Sequence, residues 1–152
     1  MRPPGTRRRR TGVIGYAPGG YDLFHIGHLQ LLARSWGACD YLVAGVATDE
    51  VLQQMKRTAP AIPLEERLAI VDSVSYVDLC VVDTSPDKLV AWHEVRFDIL
   101  FKGDDWRGTP QGARLEQDLA TVGARVVYFP YTASTSSTQL RAWLHGAGGD
   151  AA

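Results

Sequence analysis

Short apolar runs alternate with amphipathic stretches along the chain, from about residue 13 to residue 144. The run at residues 41–47 is apolar throughout, which is typical of a strand buried on both faces of a sheet. Thr48 follows it as a predicted helix N-cap, and Pro63 begins a further helix. The pattern predicts strands at residues 13–16, 41–47, 79–82, 98–101 and 126–129. It predicts helices at residues 28–36, from 49 to 52, from 63 onward, and at 86–94, 111–122 and 138–144.

Strands and helices alternate strictly in this prediction. That order favours parallel strands joined by right-handed crossovers. We therefore expect one α/β domain, a single doubly wound, Rossmann-like parallel sheet with helices on both faces. Ligands of such sheets bind at the carboxyl ends of the strands, near the switch in strand order. Functional side chains are expected in the turns after the strands that include Val13, Tyr41, Asp98 and Val126.

The length and composition fit one globular domain. The 152 residues are 45% hydrophobic and 22% charged, and no stretch approaches the roughly 20 apolar residues of a membrane span. The first ten residues lack the apolar segment of a secretory signal. We therefore expect a cytoplasmic location and no membrane partner. Cys39 and Cys80 stand in no metal-ligand spacing and are expected to be free thiols.

The basic residues are distributed unevenly. Arg2 and Arg7–Arg10 provide five of the sixteen basic residues, which leaves eleven basic against seventeen acidic residues in the rest of the chain. We expect a disordered arginine-rich leader at residues 1–10, a domain at residues 11–145 and a disordered tail at residues 146–152. The alternative is that the arginine run contacts nucleic-acid phosphates, but the acidic body argues against a nucleic-acid-binding face.

The segment at residues 19–28 carries the most chemical information. It reads Gly-Gly-Tyr-Asp-Leu-Phe-His-Ile-Gly-His, follows the first strand and runs into the first helix. The glycines let a ligand approach the backbone, and a helix start attracts anions. His25 and His28 are three residues apart, so a helical turn places both imidazoles on one side, where they suit a polyphosphate. The alternative, a structural or metal-binding pair, has no third ligand at a sensible spacing.

This His-x-Gly-His sequence, with an aromatic residue and Asp before it, resembles the phosphate-binding motif of the cytidylyltransferase-like nucleotidyltransferases. Within that family it is similar to glycerol-3-phosphate cytidylyltransferase, in which the stretch reads Gly-Thr-Phe-Asp-Leu-Leu-His-Trp-Gly-His. The likeness extends from Val13 to about Leu144. Further matches, in the family's order, are Ala47-Thr48-Asp49-Glu50, Lys56, Glu66-Arg67, Tyr76-Val77-Asp78, Lys102-Gly103-Asp104-Asp105-Trp106 and Ser136-Ser137-Thr138.

The resemblance implies a nucleotidyltransferase fold and a role for each motif. His25 and His28 would hold the triphosphate and stabilise charge at the α-phosphorus, and Lys56 would bind phosphate oxygens from a mobile loop; these three are the catalytic candidates. The implied nucleotide-binding residues are Gly20, Tyr21, His25, His28, Asp105, Thr132, Ser136, Ser137 and Thr138. The implied acceptor-binding residues are Lys56, Arg67, Asp104 and Trp106.

Plain structural interpretations exist for several of these residues. Lys56 is also consistent with a solvated surface lysine, and Trp106 with a tryptophan packed under a turn. Helix capping explains one hydroxyl at the start of the last helix, but not the run Ser136–Thr138 with Thr132, Ser134 and Thr135 before it.

Two positions depart from the family's pattern. Ser75 and Tyr131 stand where the relatives have arginine. Neither side chain reproduces the fixed charge and the fork of donors of a guanidinium. The nucleotide preference and the acceptor are therefore open on sequence grounds.

The predicted reaction is in-line attack by the phosphate of a phosphorylated alcohol, glycerol 3-phosphate first, on the α-phosphorus of CTP, with release of pyrophosphate. Mg²⁺ or another divalent cation would bridge triphosphate oxygens, with Asp22 as a candidate ligand. The alternatives are adenylyl transfer to a sugar phosphate and cytidylyl transfer to phosphocholine, phosphoethanolamine or a phosphonate. A non-catalytic nucleotide-binding protein and an RNA-associated protein are further alternatives. The resemblance also implies a homodimer.

Overall fold

The computed structural model describes residues 6–130 and 136–150, with side chains described as far as residue 146. The five strands are β1 (Ile14–Gly19), β2 (Tyr41–Ala47), β3 (Leu79–Asp83), β4 (Ile99–Gly103) and β5 (Arg125–Phe129). The six helices are α1 (Ile26–Gly37), α2 (Asp49–Lys56), α3 (Leu64–Asp72), α4 (Lys88–Val95), α5 (Pro110–Ala120) and α6 (Ser137–Asp150). A 3₁₀ turn at Asp104–Trp106 follows β4.

The strands form one parallel sheet in the order β3-β2-β1-β4-β5. The chain winds outward from β1 to β3 and then returns to β1 to place β4 on its other side. The switch in strand order therefore lies between β1 and β4, where a crevice opens at the carboxyl ends of the strands. The predicted doubly wound α/β sheet is confirmed.

Helices cover both faces of the sheet. On one face α4 and α5 pack through Val95 and Leu119 against Val43 of β2. On the other face α1 and α3 pack through Leu32 and Val71 against neighbouring residues of the same strand. All seven residues of β2 are buried, as the uninterrupted apolar run predicts. The strand is thus enclosed between β3 and β1 within the sheet and by helices on both faces.

Most predicted element boundaries shift by a few residues. Thr48 caps α2 by accepting a hydrogen bond from Val51 N, as predicted. The first strand, however, does not end at Tyr16. Pro18 and Gly19 continue the parallel pairing with β2. This extension carries β1 directly to the edge of the crevice.

The chain ends are more ordered than the composition indicates. Arg8 donates from its backbone N and from Nε to the buried carboxylate of Asp78, and its guanidinium lies 4.8 Å from the Trp36 ring. Arg7 pairs with Asp72. Residues 7 and 8 are therefore not a solvated leader, because acidic partners distant in sequence bind them. The predicted tail is also wrong in part, since α6 continues to Asp150.

Two further observations concern the whole described part. Cys39 and Cys80 are free thiols, as predicted. Within residues 6–130 and 136–150, no helix combines the length and apolar character needed to cross a membrane.

Candidate active site

A cavity of about 810 Å³ lies at the carboxyl edge of the sheet. The last residue of every strand contributes to its wall: Gly19, Ala47, Asp83, Gly103 and Phe129. The start of α1 and the start of α6 both open into it, the first through His25 and His28 and the second through Ser136–Thr138. The structure thus brings together the two helix starts that are distant in sequence. Both point backbone donors and a positive dipole end toward this edge, a setting that favours anions.

The two imidazoles cap the helix that they begin. His25 Nδ1 accepts a hydrogen bond from Gly27 N at 3.0 Å, and His28 Nδ1 accepts one from His25 N at 3.2 Å. The two rings lie 3.9 Å apart between centroids. Because each Nδ1 is an acceptor, each neutral ring carries its proton on Nε2. Capping therefore fixes both tautomers and leaves two Nε2–H donors for a ligand.

Burial keeps these histidines uncharged in the free protein. Burial, helped by the neighbouring charges of His25 and Lys56 and opposed by Asp22, lowers the pKa of His28 to about 3. Burial also lowers the pKa of His25. At neutral pH the pair therefore offers hydrogen-bond donors, and any positive charge would arise only when an anion binds beside it.

The turn that leads into α1 is strained. Tyr21 and Leu23 have φ values of 54° and 52°, in the left-handed region that non-glycine residues rarely adopt. Tyr21 is 3% exposed, donates from its hydroxyl to Ala17 O, and does not line the cavity. Its ring lies 5.4 Å from that of His28. Tyr21 therefore supports His28 from behind, which differs from the direct nucleotide contact predicted for it.

Asp22 is the centre of a buried network. Its carboxylate is 2% exposed, accepts hydrogen bonds from Ala61 N and Ile62 N, and forms an ion pair with Arg141 of α6. Its carbonyl oxygen accepts a hydrogen bond from Ser137 Oγ at 2.6 Å. Burial alone would raise the pKa of Asp22, but these hydrogen bonds and Arg141 lower it. The predicted role of Asp22 as a metal ligand does not fit this position, because the carboxylate is occupied and lies outside the cavity wall.

Arg67 is also buried behind the wall. Its guanidinium is fully buried and donates to Ile62 O, Gly20 O and Ala47 O and to the carboxylate of Asp49. Contact with an acceptor, as predicted, does not fit this position, since Arg67 is fully buried, does not line the cavity, and makes four hydrogen bonds with its five N–H donors. It instead holds the ends of β1 and β2 in place.

The start of α6 is a capping box. Ser136 Oγ accepts from Gln139 N, and Gln139 Oε1 accepts from Ser136 N, each at 3.1 Å. Because Ser136 Oγ is an acceptor here, its own proton remains available to a phosphate, as does that of Thr138. The Ser137 hydroxyl already donates to Asp22. Thr132, predicted to bind nucleotide, lies outside the described residues, as does Tyr131.

The remaining predicted residues divide between wall and surface. Lys56, Asp105 and Trp106 line the cavity, with Lys56 exposed at its rim. Asp104 is exposed on the 3₁₀ turn and does not line it. Ser75, which replaces an arginine of the relatives, is exposed and outside the cavity as well.

Four charged residues of the wall received no role from the sequence: Arg34, Asp83, Lys88 and Lys102. Lys88 Nζ lies 2.6 Å from Asp83 Oδ2, and Tyr16 donates to the same oxygen at 3.1 Å. Lys102 Nζ lies 3.8 Å from the centre of the Trp106 ring. One signal was available: the chain contains only three lysines, and the cavity contains all of them.

Comparison with curated proteins gives relatives of two kinds. Glycerol-3-phosphate cytidylyltransferase from Staphylococcus aureus is 32% identical over 141 residues, which are 88% of this chain and 95% of that protein. The bifunctional protein HldE from Acidiphilium cryptum is 38% identical over 125 residues, which are 79% of this chain and 24% of that protein. The chain therefore spans about a quarter of the length of this second relative.

Solved structures show the same fold. The lipopolysaccharide core biosynthesis protein from Thermoplasma volcanium GSS1 superposes with a TM-score of 0.68 at 24% identity, over 82% of this chain and all of that one. A pantoate-beta-alanine ligase from Francisella tularensis gives 0.59 at 14% identity, over 80% and 60% of the two chains. The family profile described as cytidylyltransferase-like matches residues 16–142, from β1 into α6. The chain belongs to the cytidylyltransferase-like family.

Proposed function

We propose that this protein transfers CMP from CTP to a phosphorylated alcohol, with glycerol 3-phosphate as the first candidate, and releases pyrophosphate. The observation that carries the proposal is the single cavity into which the α1 and α6 helix starts both open. Cytidylyltransferase-like family membership supports nucleotidyl transfer as the reaction class. The likeness to glycerol-3-phosphate cytidylyltransferases over nearly their full length supports this choice of substrates.

The proposed reaction is one displacement at phosphorus. A phosphate oxygen of the acceptor forms a bond to the α-phosphorus, and the bond from that phosphorus to the oxygen bridging to the β-phosphorus breaks. The bonding pair leaves with pyrophosphate, so no oxidant or reductant is required. Such reactions need mainly positioning and charge stabilisation from the protein. The Nε2–H donors of His25 and His28 would supply stabilisation at one end of the triphosphate, and Ser136 and Thr138 at the other.

A divalent cation fits this arrangement if the triphosphate carries most of its ligands. Among residues 6–130 and 136–150 no group of three or more His, Cys, Asp or Glu side chains is placed to hold a metal ion. Mg²⁺ at nucleotide sites commonly uses one or two carboxylates together with phosphate oxygens and water. Asp105 is the wall carboxylate that suits this role, since Asp83 is paired with Lys88. The ion would offset negative charge on the triphosphate.

A pyrophosphate-release screen tests the proposal. Four nucleoside triphosphates are combined with glycerol 3-phosphate, sugar phosphates, phosphocholine and phosphoethanolamine, and CTP with a phosphorylated alcohol is expected to be fastest. His28→Ala should lower turnover by about 100-fold or more, as loss of one oxyanion donor does elsewhere. His93→Ala is the matched control, because His93 is exposed on α4 and outside the cavity. Pyrophosphate release that is equal in the His28 variant and the wild type would contradict the assignment.

The predicted homodimer is a separate expectation drawn from the resemblance. It stays a prediction, and none of the steps proposed above depends on it.

A further inference from the structure

The three lysines of the chain converge on one cavity from three different elements. Lys56 ends α2, Lys88 begins α4 and Lys102 lies near the end of β4. The other thirteen basic residues are arginines, and among the described ones only Arg34 lines the cavity. Lysine differs from arginine in presenting a compact charge on a flexible stem. The distribution indicates that the wall is built to meet a compact anionic group.

Lys102 lacks a counterion in the described structure. Its side chain is half-buried, and no hydrogen bond or ion pair holds its ammonium within residues 6–130 and 136–146; its contact is the face of Trp106 at 3.8 Å. Burial and the neighbouring charge of Lys88 lower the pKa of Lys102 to about 8. An ammonium removed from water without an acceptor is unfavourable, and an anion in the cavity would relieve that cost.

Lys88 and Asp83 form an ion pair that further hydrogen bonds hold in place. Lys88 donates to Asp83 Oδ2 at 2.6 Å and to Ser85 O at 3.3 Å, which leaves its third N–H for the cavity. Asp83 is held in turn by Tyr16, whose hydroxyl reaches it across Gly45. A Cβ on Gly45 would lie only 2.1 Å from the Tyr16 oxygen, so this crossing requires glycine. Asp83 is therefore already neutralised by Lys88, and Asp105 is the other wall carboxylate whose charge acts on Lys102.

Lys56 interacts electrostatically with His28 of the histidine pair as well as with Lys102. Its charge lowers the pKa of both His28 and Lys102, so it is within electrostatic reach of each. An acceptor phosphate bound by Lys102 and Lys88 would share this cavity with the triphosphate held by His25 and His28.

We infer that Lys102 and Lys88 form the subsite for the acceptor's phosphate, and that the acceptor is a phosphorylated polyol or sugar without a cationic group. This inference rests on the proposed function. An ammonium on the acceptor would meet two ammonium groups, while Asp83 is already paired with Lys88 and Asp105 already acts on Lys102. One aromatic face of the wall that could receive a quaternary ammonium, that of Trp106, is occupied by Lys102. Phosphocholine and phosphoethanolamine are thus disfavoured by charge.

The test measures binding of four probes: glycerol 3-phosphate, glucose 1-phosphate, phosphocholine and phosphoethanolamine. Calorimetric titrations at pH 7 use the full chain, with and without the non-reactive analogue α,β-methylene-CTP. Lys102→Met removes the charge and preserves the contact with Trp106. Arg114→Met is the control, since Arg114 is 84% exposed on α5. In contrast to Lys88→Met, Lys102→Met leaves no buried carboxylate unpaired, so the variant should fold.

At least one of the two probes that lack a cationic group, glycerol 3-phosphate and glucose 1-phosphate, should bind the wild type about tenfold more tightly than both cationic probes. That affinity should fall by about tenfold or more in Lys102→Met, as for a lost hydrogen bond to a charged group, and stay unchanged in Arg114→Met. Equal or tighter binding of phosphocholine, equal affinities of Lys102→Met and the wild type, or no binding of any probe would overturn the inference. Binding that depends on Lys102 without pyrophosphate release would leave the subsite standing and refute the proposed reaction. CMP transfer that is fastest with phosphocholine would refute the subsite and leave the proposed reaction standing.

Discussion

Replacing Asp22 with Asn should destabilise the protein strongly, because the change leaves Arg141 without its carboxylate. Asp22 is 2% exposed and Arg141 is 23% exposed. Breaking a buried ion pair by removing one partner costs about 3–5 kcal/mol, and the partial exposure of Arg141 reduces this to about 2–3 kcal/mol. Asparagine can still accept one of the two backbone hydrogen bonds, so the loss of the other adds about 1 kcal/mol.

The expected total is about 3–4 kcal/mol of unfolding free energy, which corresponds to a fall of roughly 6–16 °C in melting temperature for a chain of this size. Differential scanning calorimetry measures it. Asp72→Asn is the matched control, because the Arg7–Asp72 pair is 43% and 51% exposed; it should cost less than about 1 kcal/mol. A difference of less than about 2 °C between the Asp22 variant and the wild type would refute the reasoning.

The same variant separates a structural from a metal-binding role. Since the folded protein lowers the pKa of Asp22, the ionised form stabilises the fold. That contribution is complete above the unfolded pKa of about 4 and is lost as the pH falls through the lower folded value. The difference in unfolding free energy between the wild type and Asp22→Asn should therefore decrease as the pH falls below about 4. The Mg²⁺ concentration that gives half-maximal turnover should be the same in both proteins; a large shift would restore Asp22 as a ligand.

Two further predictions concern the lysine side of the cavity. Gly45→Ala should lower the free energy of unfolding by about 1–3 kcal/mol in urea titrations, because the new Cβ would collide with the Tyr16 hydroxyl. Gly37→Ala, where no atom lies within 4 Å of the added Cβ, is the control and should be neutral or stabilising; equal effects of the two changes would contradict the packing argument. Acceptor affinity should fall as the pH rises through about 8, because burial lowers the pKa of Lys102 to about 8 and only its protonated form attracts a phosphate. The phosphate itself is already dianionic there, so a fall that persists in Lys102→Met would show that another group is responsible. The charged groups that act on Lys102 are Lys88, Asp105, Lys56 and Asp83.

The sequence predicted the fold well because its signal is local and repeated. The apolar run of β2, the caps and the strict alternation each specify one element, and chain-crossing rules then leave few arrangements. The histidine turn and the hydroxyl-rich turn could be placed at one edge because both follow parallel strands. His25 and His28 therefore carried most of the functional interpretation before any coordinates.

The failures come from contacts between distant residues. A run of arginines has the composition of a solvated leader, and the acidic residues that bind Arg7 and Arg8 are 65–71 positions away in sequence. Asp22 beside a phosphate motif suggests a metal ligand, but only the structure shows Arg141 covering it. The sequence gives no sign of a role for Asp83, and only the structure shows Tyr16 crossing Gly45 to reach it. Charge alone does not distinguish a solvated side chain from a buried partner.

A crystal structure with bound CTP, or with α,β-methylene-CTP, tests the central claim most directly. The account predicts one triphosphate that lies within hydrogen-bond distance, about 2.7–3.2 Å, of His28 Nε2 at one end and of the Ser136 or Thr138 hydroxyl at the other. A nucleotide that contacts only one of the two helix starts, or that binds away from both, would contradict it.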